Sequence, residues 1–558
     1  MLKYFTIYYC IFCFIQQIFS IELFIPQHDS NIETREKEIA TIASLIKNEE
    51  RYHVLDGTFY KYNYGPIPRN GSLASQILFK ELQLLNSNTN QDKATIFYIS
   101  NQSEINSFKD YDEMYQNLSS FVSPPITSIN FNDESFGEDR LTIKGTRLRL
   151  FNKTENPHLS FGISSEQIKL ICNADLKTLI NSNKLYIEDL SFTSKYNDPE
   201  VPHKIAPSSI GYFCINKLKK FVVIAIHLID SNLIYTPYDN KNDWTFARMA
   251  LNAASMNVQQ WDHFIQTHLM LEPIRVEMMR TMSTKHPIYV LLEHHFTQLF
   301  ANSPVAFSLL LSKGSPYDTI FGWGATGTLR FLRDETSKIS FKKGFKKRMT
   351  DDGLNKIPNY KYRDDGMKLI KALEKFLKSY LQEYYNEDND ILNDCEIQNW
   401  AKQSNLVLLD FPTEFKNMND LIDTLSNIIF RVSVQHHVLN SDVAWHALAF
   451  PYSLPSLYNP VPASKGLTME NLKNFVLPKP LLPLTLATAA AFVRPFTVDI
   501  SILGSYRNVD LGMKSTKAID QYIKDLQNIE KMIDEREHNN PRPFTFMKPS
   551  NLPHYVWI

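Results

Sequence analysis

The stretch from Asp243 to Leu292 reads DWTFARMALNAASMNVQQWDHFIQTHLMLEPIRVEMMRTMSTKHPIYVLL. Its pattern is helical over most of its length, and it sets His263, His268 and His286 among apolar residues. A histidine buried in such surroundings needs a hydrogen-bond partner or a metal. An α-helix turns about 100° per residue, so His263 and His268, five positions apart, face different ways unless a π-type turn adds a residue between them. Turns of that kind are rare and gather at functional sites. Read alone, the stretch favours two hydrogen-bonded core histidines over a metal pair.

The rest of the chain can surround such a segment. With 558 residues, 43% of them hydrophobic, it can bury a large core. Its 59 basic and 60 acidic residues give no net field to draw in nucleic acid. Residues 1–20, MLKYFTIYYCIFCFIQQIFS, pair one early lysine with an apolar run and a small residue at Ser20. That is the pattern of a secretory signal peptide, so a secreted, extracellular protein is expected. The modest length, together with Gln16 and Gln17, disfavours an uncleaved anchor. Cys10 and Cys13 fall in this segment, which leaves Cys172, Cys214 and Cys395: at most one internal disulfide is possible and none is required. Sequons at Asn70, Asn101, Asn117 and Asn152 predict N-glycosylation.

Along the chain, Ile39, Ile42, Leu45 and Ile46 recur at helical steps and predict a surface helix over residues 32–50. Between Tyr60 and Val201 the signals are mixed and no boundary is legible. The β-rich run from Lys220 to Ile229 and the run from Leu233 to Tyr235 predict two short strands leading into the central stretch. Residues 367–385, 419–440 and 519–533 read as further helices, and the basic cluster from Lys338 to Arg348 as a solvated loop. The expected fold is mainly α: a mixed segment over 21–205, then a helical body over 206–558, with a few short β-strands.

Two further pieces could carry chemistry. In Gln435-His436-His437-Val438-Leu439-Asn440, His436 and Asn440 are four apart, so a helix projects both from one face. Alone, such a pair is more often an ordinary hydrogen-bonded one. The second piece is the carboxyl end, Asn551 to Ile558, whose terminal carboxylate would ordinarily be exposed and mobile.

Taken together, these pieces resemble the lipoxygenases. His263-Phe-Ile-Gln-Thr-His268-Leu-Met-Leu-Glu272-Pro273, followed by His286-Pro-Ile-Tyr289-Val-Leu-Leu292 and His295, is similar to that family's central metal-binding helix region. The Gln435-His436 to Asn440 stretch and the terminal Ile558 match the family's other two ligand segments, and the resemblance covers roughly Ala206 to Ile558. It implies a lipoxygenase domain holding one non-haem iron or manganese ion through His263, His268, His436, Asn440 and the carboxylate of Ile558. Gln435, Glu272 and His286 are expected to support or pack against that set. The family's π-type distortion would bring His263 and His268 together. Where many members carry a further histidine, this chain has Val258, which should not empty the site.

Leu233-Ile-Tyr-Thr-Pro237 and Asp243-Trp244 are similar to secreted fungal members, which lack an N-terminal β-barrel, and no barrel is expected here. The five-residue histidine step and the terminal isoleucine are closer to the iron members than to those using manganese. The resemblance implies a dioxygenase acting on polyunsaturated fatty acids of the linoleate type. A hydrogen atom is taken from a bis-allylic carbon, dioxygen adds to the pentadienyl radical, the peroxyl radical regains the electron and proton, and a hydroperoxide is released. Fatty acid and dioxygen are the expected partners, with a peripheral membrane contact allowed and a monomer expected. The rival is an inactive secreted protein of lipoxygenase fold that binds lipid or a partner; a complete ligand set argues against it.

Overall fold

A computed structural model describes residues 22–46, 52–55, 58–61, 80–81, 108, 131–142, 145–152, 154, 162–302, 306, 310–336, 338, 340–408, 410–447, 451–482, 484–485, 488, 496–512, 516–540 and 543–557. Residues 1–20, the sequons at Asn70, Asn101 and Asn117, and Ile558 lie outside the described residues.

Strands β1 (Tyr52–Leu55) and β2 (Thr58–Lys61) form an antiparallel pair. A separate five-stranded antiparallel sheet follows in the order β3 (Leu148–Leu150), β4 (Leu185–Leu190), β5 (Ser209–Ile215), β6 (Phe221–Leu228) and β7 (Leu233–Tyr235). The pairing of β4 with β5 crosses the position where sequence reading divided segment 21–205 from body 206–558. Strand alternation sorts its side chains between two cores. Tyr186, Phe213 and Val223 face the main core, while Leu185, Ile187, Tyr212, Cys214, Val222 and Ile224 face a smaller one. In the smaller core Cys214 is bonded to Cys172 at the end of helix α2 (Ser165–Cys172).

Helix α1 (Ile32–Leu45) starts at Asn31, whose side chain accepts from Thr34 N, and packs on the helix Leu271–Thr281. The central stretch becomes α3 (Lys241–Phe264), α4 (Leu271–Thr281) and α5 (Pro287–His295). Asn240 caps α3 by accepting from Asn242 N and Asp243 N. From Asp243 to Phe264 every residue of α3 is buried, so this helix runs through the core rather than along the surface. Several of its polar groups have partners: Asn252 bonds the Tyr452 carbonyl, Ser255 bonds Glu188, and Asn257 bonds the Pro455 carbonyl. Strands β4 to β7 pack against one side of α3.

The later helices are α6 (Lys361–Leu381), α7 (Cys395–Val407), α8 (Met418–Ile429), α9 (His436–Ala447) and α10 (Thr516–Glu537). Helix α6 packs on α8 and α10, α4 packs on α7, and α9 packs on α3. Two expectations are corrected. The basic cluster at 338–348 is not all loop, because Phe345 is buried and starts a short helix, Phe345–Asp351. The single helix expected over 419–440 is interrupted between α8 and α9 by a π turn at Phe430–Gln435. The fold is mainly α, with a small sheet and no β-barrel among the described residues.

Candidate metal centre

Helix α3 does not continue directly into α4. Residues Ile265–Leu269 form a π turn, closed by a hydrogen bond from Met270 N to the Ile265 carbonyl, an i to i+5 step, at 3.0 Å. With the extra residue, five positions complete roughly one turn, and His263 and His268 come to the same side. A local cause is legible. Pro273 has no N–H to give the Leu269 carbonyl four residues earlier, and its ring crowds that carbonyl; Leu269 is where the π turn ends. Thr267 Oγ donates to the His263 carbonyl at 2.8 Å, occupying an acceptor that the changed register disturbs.

The second π turn, Phe430–Gln435, ends at His436, which opens α9. The two irregular segments face each other. Gln435 Nε2 donates to Gln266 Oε1 at 2.8 Å, and Arg431 reaches the same oxygen at 3.4 Å. Arg431 is buried and is otherwise held by Asn427 and by the carbonyls of Phe341 and Lys343. Burial pushes its guanidinium down to about 10. On the other side, Arg147 grips Asp262, the neighbour of His263, through two hydrogen bonds of 2.8 and 2.6 Å.

The result is a cluster of three imidazoles. His263, His268 and His436 each offer a nitrogen within 4.8 Å of the other two, and the ring centroids are 4.7 to 5.3 Å apart. All three are buried. Burial, the largest cause, pushes the pKa of His268 down to about 3 and those of His263 and His436 well below the ordinary value. Mutual repulsion lowers His263 and His436 further. Neutral imidazoles keep the lone pairs that a metal requires.

Hydrogen bonding tests whether these residues suit an ion. Both ring nitrogens of His263, Nδ1 of His268 and Nδ1 of His436 have no hydrogen-bond partner, and neither does Oδ1 of Asn440. Burying so many unpaired polar atoms is costly, and a coordinated ion would remove part of that cost. The Asn440 amide lies 3.4 Å from His436 Nε2, presenting Nδ2. A half-turn of the amide plane, which leaves its shape unchanged, would place Oδ1 there instead. Three nitrogens and an amide oxygen suit a single non-haem iron or manganese ion.

The remaining predicted residues separate. Gln435 supports the cluster through Gln266. Glu272 is buried in the first turn of α4 and is not part of the three-histidine group. His286 caps α5: its Nδ1 accepts from Ile288 N at 3.1 Å, and its Nε2 bonds Asp394 at 3.0 Å, a packing role. The tail is fixed as far as Trp557, but Ile558 lies outside the described residues. Reading the sequence missed Gln266, Arg431 and the second π turn. Gln266, a polar residue set between Ile265 and Thr267 on the approach to His268, was the one available hint.

Comparisons with known proteins follow the same lines. The lipoxygenase family model matches residues 227–326 and 344–545. Manganese lipoxygenase from Fusarium oxysporum is 25% identical over 484 residues, covering 80% of this chain and 78% of that protein. Manganese lipoxygenase from Gaeumannomyces tritici is 25% identical over 477 residues, covering 80% and 75%. Among solved structures, manganese lipoxygenase of Gaeumannomyces graminis superposes with a TM-score of 0.84 at 22% identity, covering 96% of this chain and 100% of that one. Coral 8R-lipoxygenase superposes with a TM-score of 0.80 at 22% identity, covering 96% of this chain and 83% of that one.

Proposed function

This chain belongs to the lipoxygenase family, and from that premise we propose that it inserts dioxygen into polyunsaturated fatty acids of the linoleate type and releases hydroperoxides. The carrying observation is the convergence of His263, His268 and His436 as buried, neutral imidazoles with unpartnered nitrogens. In this reading they hold the ion with Asn440 and the carboxylate of Ile558. Bound there, the ion supplies one-electron chemistry toward a bis-allylic carbon.

The protein's own contribution is positional. The two π turns bring together histidines that an unbroken helix would hold apart, and Gln266, Gln435 and Arg431 brace them from behind. Burial keeps the imidazoles neutral and keeps bulk water from the donors. The ground for proposing iron, against the manganese of the relatives named above, is the resemblance of the five-residue histidine step to the iron members of the family.

A secreted, N-glycosylated, monomeric enzyme is part of the proposal, with a fatty acid and dioxygen as partners and at most peripheral contact with a membrane. The Cys172–Cys214 disulfide supports an oxidising compartment. Asn152 is exposed, and its side chain folds back onto Thr154 of its own sequon.

The test is metal analysis of the purified protein, with its own carboxyl end, alongside oxygen uptake on linoleate. Near-stoichiometric iron with uptake is expected. A site that stays empty after metal is supplied, with no uptake, would overturn the enzymatic reading and leave a lipid-binding role.

A further inference from the structure

His295 lies at a junction that the metal cluster alone does not explain. It ends α5, is fully buried, and contacts three separate parts of the chain. Its Nδ1 lies 2.6 Å from the His554 carbonyl and 3.0 Å from Ser433 Oγ, and its Nε2 lies 2.7 Å from the Tyr506 hydroxyl. Ser433 belongs to the second π turn, three residues before His436. His554 belongs to the carboxyl tail, four residues before Ile558.

The partners determine the tautomer. A carbonyl only accepts, so Nδ1 carries the hydrogen and gives it to His554 O. In a neutral ring Nε2 is then the lone-pair side, and it accepts from the Tyr506 hydroxyl. Ser433 Oγ donates to the same His554 carbonyl at 2.7 Å, so that one oxygen receives both the π turn and α5.

The rest of the tail is laid down around this point. Leu552 accepts from Ile502 N at 2.8 Å, and His554 N donates to the Ile500 carbonyl at 3.0 Å. Beyond it, Asn302 Nδ2 donates to the Val556 carbonyl at 2.9 Å. The bonds to residues 500–502 fix where the tail lies. Those from His295 and Ser433 fix how it stands relative to the segment bearing His436.

We propose that His295 is a positioning residue that latches the carboxyl tail to the second π turn, so that His436 and the terminal carboxylate are presented to the metal as one pre-set unit. The inference rests on Ile558 serving as a ligand. An imidazole suits the task because it donates on one edge and accepts on the other, at fixed separation and without rotatable bonds between. Without it, the tail keeps its anchorage at 500–502, the Ser433 hydrogen bond and the stacking of His294 on the His554 ring, but loses its hydrogen bond to α5 on the approach to Ile558.

The experiment compares His295→Ala, His295→Asn and Tyr506→Phe with the unaltered full-length protein. Two quantities are read: Fe2+ affinity by competition with a chelator, and amide hydrogen exchange of residues 552–557 in the metal-free state. For His295→Ala we expect an affinity loss on the order of 10- to 100-fold, as for other residues that orient ligands, with faster exchange confined to the tail. Asparagine can still donate near the Nδ1 position, so His295→Asn should recover most of that loss. Tyr506→Phe frees the tautomer and should fall between. If His295→Ala leaves both affinity and tail exchange unchanged, or if His295→Asn is no better than alanine, the latch is wrong. A one-residue extension after Ile558 separates the premise. If the extension leaves Fe2+ affinity unchanged, the carboxylate is not a ligand; if it lowers affinity while His295→Ala does not, only the latch fails.

Discussion

His263, His268 and His436 are as deeply buried as His286 and His295, all at 2% exposure or less, yet the two groups are treated in opposite ways. In the second group both ring nitrogens are bonded to protein. His286 lies between Ile288 N and Asp394, and His295 between the His554 carbonyl and Tyr506. In the first group, both ring nitrogens of His263 and Nδ1 of His268 and of His436 have no protein partner, and the Nε2 atoms of His268 and His436 face each other, 3.1 Å apart. A core histidine that is only structural is completed by the fold. One kept for a metal is left incomplete, and the fold carries the cost until an ion arrives. Burial does not separate the groups; hydrogen-bond completeness does.

The sharpest way to break this comparison is to remove one member from each group. His268→Ala should abolish stoichiometric metal and reduce oxygen uptake by more than the ~100-fold typical of residues that merely support ligands. The stability of the metal-free protein should change by only about 1–2 kcal/mol, because the lost packing is offset by removing an unsatisfied buried group. Metal analysis and metal-free denaturation read the two halves. A large loss of metal-free stability would mean that His268 is an ordinary core residue.

His286→Ala should show the reverse. The variant loses a hydrogen bond to a charged group, worth about 2 kcal/mol, and a helix cap worth about 1 kcal/mol, while metal per folded molecule stays the same. Burial opposes the charge on Asp394. His286, the Tyr385 hydroxyl and the Ile397 N–H outweigh it and hold the carboxyl below its ordinary value. A depressed carboxyl pKa stabilises the fold above the unfolded value of about 4, and that contribution is lost as pH falls further. The gap between variant and parent should therefore be full at neutral pH and narrow below about pH 4. Denaturation at several pH values checks this, and a gap that widens on acidification would contradict it.

What could be read in advance divides along the same line. The cluster of His263, His268 and His436 could be named from the family resemblance, although local spacing alone favoured core histidines. The objection that an α-helix separates the first two was sound, and the structure answers it with the π turn before Pro273. The second π turn left no such mark. Phe430–Gln435 contains no proline or glycine, and its register is held by Gln266 and Phe341, far away in sequence. Strand β6 was legible because it is apolar from Phe221 to Ile226. Strand β4 was not, because Glu188 interrupts it and is satisfied only by Arg140 and Ser255 from elsewhere in the fold. Local chemistry was readable; pairings that exist only after folding were not.

The smallest expected effect tests whether the two π turns act as one support. Gln435→Leu removes the 2.8 Å bond to Gln266, and Gln266→Leu removes it from the other side. Each should cost about 1 kcal/mol of stability, the usual net value of one hydrogen bond, and weaken metal binding by up to roughly tenfold. Both effects come from the same contact, so the double variant should be little worse than either single one, with a coupling energy near 1 kcal/mol. Arg431 would still reach the Gln266 oxygen in Gln435→Leu, which keeps that variant at the mild end. Simple additivity in the cycle would mean that each π turn is held by its own surroundings. The completeness that separates the two histidine groups would then be set locally around each ligand rather than by one brace behind them.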